Sequence, residues 1–361
     1  MTIVSTKQAG LSLIELMISI TLGLLLVLGA TQVFLSSKNT YSYNEEIGWM
    51  QENARFALEQ LKRDVRMAGF WGCNTDGDFV STLNPMPSGN GWQIDFTRAV
   101  RGWDGDDAAY PSPEFPGRPG PAVSAGPTVP DSDLLTIRRA DDSMGQFNVV
   151  GTHNPSSAVI PIDGTHPFQS GDILVVTDCT NTAVFQHTGN GSNKANHNTG
   201  GGGGLGPPGN CTKDLGGPAV GACGASTEYE YKEDNGATVM RAQAYAYYVD
   251  TAPNGVPSLY RRELDSGSAA VVSQELVQGV ENVQVLYGED LNNDSSPERY
   301  VNADDVGDWS RVTVVRLHML VRSLIEVAQE PQQFRLAGTD YTPSDRYLRQ
   351  QFVSTIKIRN K

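Results

Sequence analysis

The chain has 361 residues and a formal net charge of −14. That length supports one large or two small cores, and that acidity excludes bulk attraction to nucleic acid. Its cysteines, Cys73, Cys179, Cys211 and Cys223, form no CxxC pair, which sets aside zinc-finger and thioredoxin-like chemistry.

Residues 1–10 form a short polar leader that carries Lys7 and ends at Gly10. From Leu11 to Leu35 the chain is apolar, with Glu15 as its one ionisable side chain. A membrane span needs roughly 20 apolar residues at about 1.5 Å rise each, so this segment is long enough to cross a bilayer. Lys7 and the amino terminus on its N-terminal side favour a cytoplasmic start. Glu15 is the anomaly, because an acid near the centre of a membrane helix costs about 2.5–3.5 kcal/mol. A cut after Gly10 would give Leu11 a free α-amine with a pKa of roughly 8. Glu15 would then be the fifth residue, where the helix dipole favours a negative charge by about 0.3–1 kcal/mol. A carboxylate there can pair with the amine of its own chain or of a neighbour, which makes it a register key between packed helices.

Beyond the apolar segment, residues 36–69 continue as an amphipathic helix. Ile47, Met50, Ala54, Leu58, Leu61, Val65 and Ala68 recur at steps of three and four, which is a buried stripe on a polar helix. Glu59 with Arg63, and Lys62 with Arg66, decorate the wet side, and Gly69 is a stop signal. One helix from Leu11 to Ala68 would be roughly 85 Å long; a break at Ser36–Asn39 is the alternative. Residues 70–361 read as a β-rich head. Predicted strands are Leu134–Arg138, Phe147–Gly151, Ala158–Ile162, Ile173–Thr177, Thr182–His187, Gln243–Asp250, Ser258–Glu263, Glu281–Tyr287, Val312–Val321 and Phe352–Ile358. Gln243–Asp250 alternates as a half-buried strand does, and Val272–Val277 reads as a helical turn. Residues 104–130 and 188–225 read as flexible loops rich in glycine and proline. Export of the head places the cysteines in an oxidising compartment. Of three pairings, Cys73–Cys179 with Cys211–Cys223 is the expected one, the second closing the base of the glycine-rich loop.

No HExxH, Walker A or GxSxG motif occurs, and His153, His166, His187, His197 and His318 are scattered, so the chain reads as a non-enzyme. His318, inside an apolar strand, reads as a core residue. Asp290, Asn292 and Asp294 place oxygens at alternate positions, as the first half of a calcium loop does. Ser295 and Val301 stand where such a loop has its glycine and bidentate glutamate. The alternative is an acidic turn whose side chains cap the backbone.

Gly10-Leu11-Ser12-Leu13-Ile14-Glu15-Leu16 resembles the class III (type IV prepilin) signal, with Leu11 in place of the usual phenylalanine. The resemblance implies that a prepilin peptidase cuts between Gly10 and Leu11 and N-methylates Leu11. Three further blocks resemble the PilW family of minor pilins: 55–73 after the membrane segment, 276–288, and the strands at 312–323 and 352–360. The resemblance implies an α+β, type IV pilin-like fold, with a long helix (transmembrane, then amphipathic) packed on an antiparallel β-sheet head. It further implies a minor pilin that primes type IV pilus assembly and sits at the filament tip, supporting twitching motility, adhesion or DNA uptake. Its expected partners are other minor pilins, the major pilin and the inner-membrane assembly machinery, with no cofactor beyond calcium at the acidic loop. Its expected location is the inner membrane, as a single pass with a periplasmic head, and then the pilus tip. A head of this bulk fits a filament end better than a shaft, and Gln32 replaces the helix-breaking proline usual in major pilins. A type II secretion pseudopilin and a tip adhesin are the rival readings.

Overall fold

The computed structural model describes residues 12–360 apart from 74–77, 85–90, 109, 112–114, 116, 126, 142, 201–207, 218–226 and 266–270. Helix α1 runs unbroken from Leu13 to Met67, about 82 Å at 1.5 Å per residue. No proline or β-branched run interrupts it at Ser36–Asn39. Ser12 caps its start by accepting the Glu15 N–H at 3.2 Å, which satisfies one of the orphan donors of a first turn. Gly69, at φ +72°, turns the chain away at its end. A side chain there would be strained by its backbone, and its Cβ would meet that of Ala99 at 3.1 Å.

The head strands, in chain order, begin with β1 (Asp78–Ser81), β2 (Val100–Trp103), β3 (Val123–Ala125), β4 (Leu134–Asp141), β5 (Phe147–Asn148) and β6 (Val159–Pro161). There follow β7 (Ile173–Thr177), β8 (Asn181–Gln186), β9 (Lys194–Asn196), β10 (Thr238–Thr251), β11 (Pro257–Leu264) and β12 (Val271–Gln278). The last are β13 (Val280–Glu289), β14 (Arg299–Val301), β15 (Val312–Glu326), β16 (Phe334–Leu336), β17 (Thr339–Pro343) and β18 (Tyr347–Lys357). A nine-stranded sheet is built around β10, and a four-stranded sheet runs β14-β13-β15-β18. Among the described strands, pairing is antiparallel except between β1 and β8. The architecture is therefore the α+β arrangement the pattern implied, a long helix against antiparallel sheets.

Three expectations need correction. Residues 272–277 are extended, as β12 paired with β11. Its β-branched Val271, Val272 and Val277 suit an edge strand, and the ladder outweighs a weak helical period. Strand β10 is not half-buried. Tyr245, Tyr247 and Val249 face the core under α1, while Ala242, Ala244, Ala246 and Tyr248 face a second core. Alternating residues of different bulk thus pack on two apolar layers. Finally, the two predicted loops hold short strands. Val123–Ala125 pairs with β17, and Lys194–Asn196 pairs with β6.

Candidate functional site: a bare helix and its joint to the head

Helix α1 has two halves with different surroundings. Its N-terminal half carries an 18-residue window of mean hydropathy 2.3, none of it buried by the head. Leu13, Leu26 and Phe34 are 76%, 76% and 68% exposed. Burial of such side chains is worth about 1.5–3 kcal/mol each, so this face requires lipid or other helices around it. Its polar groups fit that setting. The hydroxyls of Ser19 and Thr31 donate to Glu15 O at 2.7 Å and Val27 O at 2.8 Å, and Thr21 donates to Met17 O. Each therefore takes a partner within its own helix and carries no unmet donor into hydrocarbon. Glu15 stands exposed in the first turn, while Gly10 and Leu11 lie outside the described residues.

The C-terminal half is the joint to the head. Met50, Ala54, Ala57, Leu58, Leu61, Asp64 and Val65 are buried against β4, β12, β15 and β18. Ala54 and Ala57 bring the helix axis close to the sheet. Trp49 lies over Gly279, where an added Cβ would come within 2.7 Å of the indole. The φ of Gly279 is +82°, so both its space and its conformation require glycine. Glu46 accepts the Leu324 N–H at 2.8 Å and ties the helix to the far end of β15.

A buried polar clamp sits inside this apolar joint. Asp64 is 4% exposed and pairs with Arg139 of β4 at 3.4 Å. Tyr247 of β10 donates its hydroxyl to the other carboxylate oxygen. The Arg139 and Arg261 guanidinium carbons stand 5.3 and 5.0 Å from the Tyr245 ring centroid, within cation–π range. Burial, and then the Asp64 carboxylate, hold the Tyr247 hydroxyl well above its ordinary pKa, so it stays a donor. Sequence reading missed this residue, although Asp64 falls at the Leu61 + 3 position of the buried stripe. A second network ties β13 to β18 in the four-stranded sheet. Arg349 grips Glu281 through Nε at 2.6 Å and Nη2 at 3.1 Å, and Asp345 through Nη1 at 2.6 Å. Burial opposes its charge, but the two carboxylates outweigh it and raise its pKa.

Cys73 and Cys179 are joined in a disulfide with Cα atoms 5.0 Å apart. It fixes the segment leaving α1 to the β7–β8 turn. Of the other expected pair, Cys223 lies outside the described residues.

The acidic loop gathers carboxylates of Asp290, Asp294 and Glu298 within 4.8 Å of one another, and Asn292 sits among them, its amide donating to Asp294 at 3.2 Å. Asp290 accepts the N–H groups of Asp294 at 3.2 Å and Ser295 at 2.7 Å. Asn292 and Asp294 accept those of Asp294 at 2.9 Å and Ser296 at 2.8 Å. These oxygens serve the turn itself, which is the backbone-capping alternative.

Four of the scattered histidines pair around a third apolar cluster that contains Ile160, Phe168, Phe185 and Tyr231, where sequence spacing gave no signal. His153 and His197 ring centroids are 5.4 Å apart, and His166 and His187 are 5.7 Å apart. Burial first, and then the neighbouring imidazole, depress His187 to about 4 and His197 to about 3. His318 is only half-buried, and burial lowers its pKa.

Residues 246–360 match the family profile described as Type IV Pilus-assembly protein W. Residues 5–31 match the prokaryotic N-terminal methylation motif. The first match starts in β10 and takes in β12, β15 and β18 of the joint, but not β4 with Arg139; the second takes in the Glu15 turn and the apolar half of α1. No curated protein and no solved structure matches the chain. The family implies processing by prepilin peptidase and work with the pilus machinery, and pilin-family proteins are structural rather than enzymatic. The chain thus couples an N-terminal methylation motif on a bare apolar helix, the mark of a membrane-anchored prepilin, to a C-terminal third that matches the PilW family of type IV pilus assembly proteins.

Proposed function

We propose that this chain is a minor pilin that primes type IV pilus assembly and caps the filament tip, supporting twitching motility, adhesion or DNA uptake. The observation that carries this reading is the N-terminal half of α1, whose apolar surface the head leaves uncovered. In the membrane that surface faces lipid; in a filament it faces the equivalent helices of other minor pilins and of the major pilin. Both settings are apolar, so transfer between them costs little hydrophobic energy. Selection of register then falls to the polar pair, Glu15 with the amine of Leu11 after cleavage behind Gly10. Charge pairs in low dielectric serve register best. A head of this size restricts its place to where one side is free, which is an end of the filament. The single helix with periplasmic head is the form in which the inner-membrane machinery receives it.

The test is incorporation of Glu15→Ala. The variant is expected to insert and be processed normally and to be depleted from sheared pili. Equal recovery of variant and parent in pili overturns the register role. Immunogold labelling of the head along the shaft, instead of at ends, overturns the tip placement.

A further inference from the structure

The end of α1 and the end of β18 enclose a groove of about 940 Å³. Lys62, Arg63 and Arg66 line it from the helix, and Lys357 and Arg359 line it from the strand and its tail. The two walls are fixed to each other, since the Arg359 N–H donates to Arg66 O at 3.1 Å. Met67 and Ile358 give the groove an apolar floor. Among the described residues, no carboxylate lies within ion-pairing distance of Lys62, Arg63, Arg66 or Arg359. The one acid in the lining, Glu59, already faces Arg55 at 4.0 Å.

This gathering of cations needs an explanation in a chain of formal net charge −14. Arg66 complements the negative end of the helix dipole, an effect confined to the last turn. That does not account for Arg359, which arrives from a different element nearly 300 residues later in the chain; beside it, Lys357 donates its Nζ to Ser295 O at 2.9 Å. Like charges brought together repel unless an anion sits between them. Lipid headgroups are out of reach, because Lys62 follows Leu35 by 27 helical residues, roughly 40 Å at 1.5 Å each. That distance is several Debye lengths at physiological salt, each about 8 Å. A long polyanion would carry many charges into the field of the acidic remainder. A short acidic segment meets only the local cations, and apolar residues between its carboxylates match the floor.

We propose that this groove docks a short acidic, apolar-interspersed segment of a neighbouring pilus subunit, a reading that rests on the proposed place of this chain in the pilus. The groove lies on the α1 side of the head, where subunits bundled through their helices come closest. Its contribution is electrostatic complementarity, which sets partner choice and encounter rate and weakens with salt.

The test uses the full chain in lipid nanodiscs, which cover the apolar half of α1. The probe is a fluorescent peptide of alternating glutamate and leucine, followed by anisotropy across a salt series. Expected is saturable binding that weakens with salt and drops at least about tenfold, or 1.4 kcal/mol, in Arg63→Gln/Arg66→Gln/Arg359→Gln. These side chains are exposed, so the variant is expected to keep the parental melting temperature. Lys62→Glu provides an independent, single-site loss. Absence of binding, binding indifferent to both variants, or tighter groove-dependent binding of an oligonucleotide of equal charge overturns the proposal. Recovery of the chain in sheared pili is scored separately. Variant-sensitive peptide binding with no chain in pili leaves the acidic specificity standing and removes the pilus partner. Chain present in pili with variant-indifferent binding removes the groove alone.

Discussion

Replacing Asp64 with alanine removes the acceptor at the centre of the helix–head joint. Arg139, 4% exposed, keeps its bond to Ala140 O at 3.1 Å but loses the carboxylate opposite. Tyr247, 3% exposed, loses the acceptor of its hydroxyl. Removing one partner of a buried ion pair costs about 3–5 kcal/mol. An orphaned buried hydroxyl costs about 1–3 kcal/mol, and this overlaps the first figure because both count the same desolvation. The expected total is therefore about 3–5 kcal/mol. For a head of this size, 1 kcal/mol moves the melting temperature by about 2–4 °C, so a fall of roughly 10 °C is expected. Replacing both partners, Asp64→Ala with Arg139→Met, removes the buried charge altogether and is expected to recover most of the loss. Near-ultraviolet circular dichroism on the full chain in nanodiscs reads both through the tyrosines of β10. A shift under about 2 °C for the single variant, or a double variant at least as unstable as the single, would refute the clamp.

Four further outcomes follow from the same geometry. Cys73→Ser is expected to lower stability by about 4–5 kcal/mol on the chain-entropy model for a closed loop of this length, read by melting with and without reductant; equal melting under both conditions would contradict it. Gly279→Ala drives a methyl into the Trp49 ring and is expected to cost about 1–3 kcal/mol, with Trp49→Ala partly restoring the melting temperature of the double variant. His187 and His197 are depressed to about 4 and about 3 in the folded head, so acid protonates the unfolded chain first. Stability is then complete above about pH 6.5 and falls by about 1.4 kcal/mol per pH unit for each histidine as pH drops toward those values; His197→Phe is expected to flatten that slope. Calcium is expected to leave the melting temperature unchanged, and a rise that grows with calcium concentration would reassign the acidic loop as a metal site.

The elements that sequence reading located best were those with one clear periodicity. The 3.6-residue stripe from Met50 to Val65 is the face that packs, and Ile173–Thr177 is a strand with the predicted ends. Misses came where tertiary partners reverse the local meaning of a residue. The predicted strand Leu134–Arg138 stops at the first arginine, yet β4 runs to Asp141 because both arginines find partners inside. Arg138 donates to Trp92 O at 2.9 Å, and Arg139 meets Asp64. Asp64 directly follows Lys62 and Arg63 of the wet side, and only the strand facing it makes it a core residue. The short strands β3 and β9 carry almost no pattern of their own, since their pairing partners lie far away in the chain or across a turn. Convergence of the histidines is likewise a property of the sheet layers around them. At the candidate site, Glu15 and the apolar half of α1 were legible because a bilayer imposes a length and a polarity on any sequence that crosses it. The groove was not, because its two walls come from opposite ends of the chain.

The central claim is that this is a processed prepilin whose new amine faces Glu15. Mass spectrometry of the amino terminus of the chain isolated from native membranes tests it most directly. The account predicts a polypeptide that begins at N-methylated Leu11. A polypeptide that retains Met1 through Gly10 would contradict it.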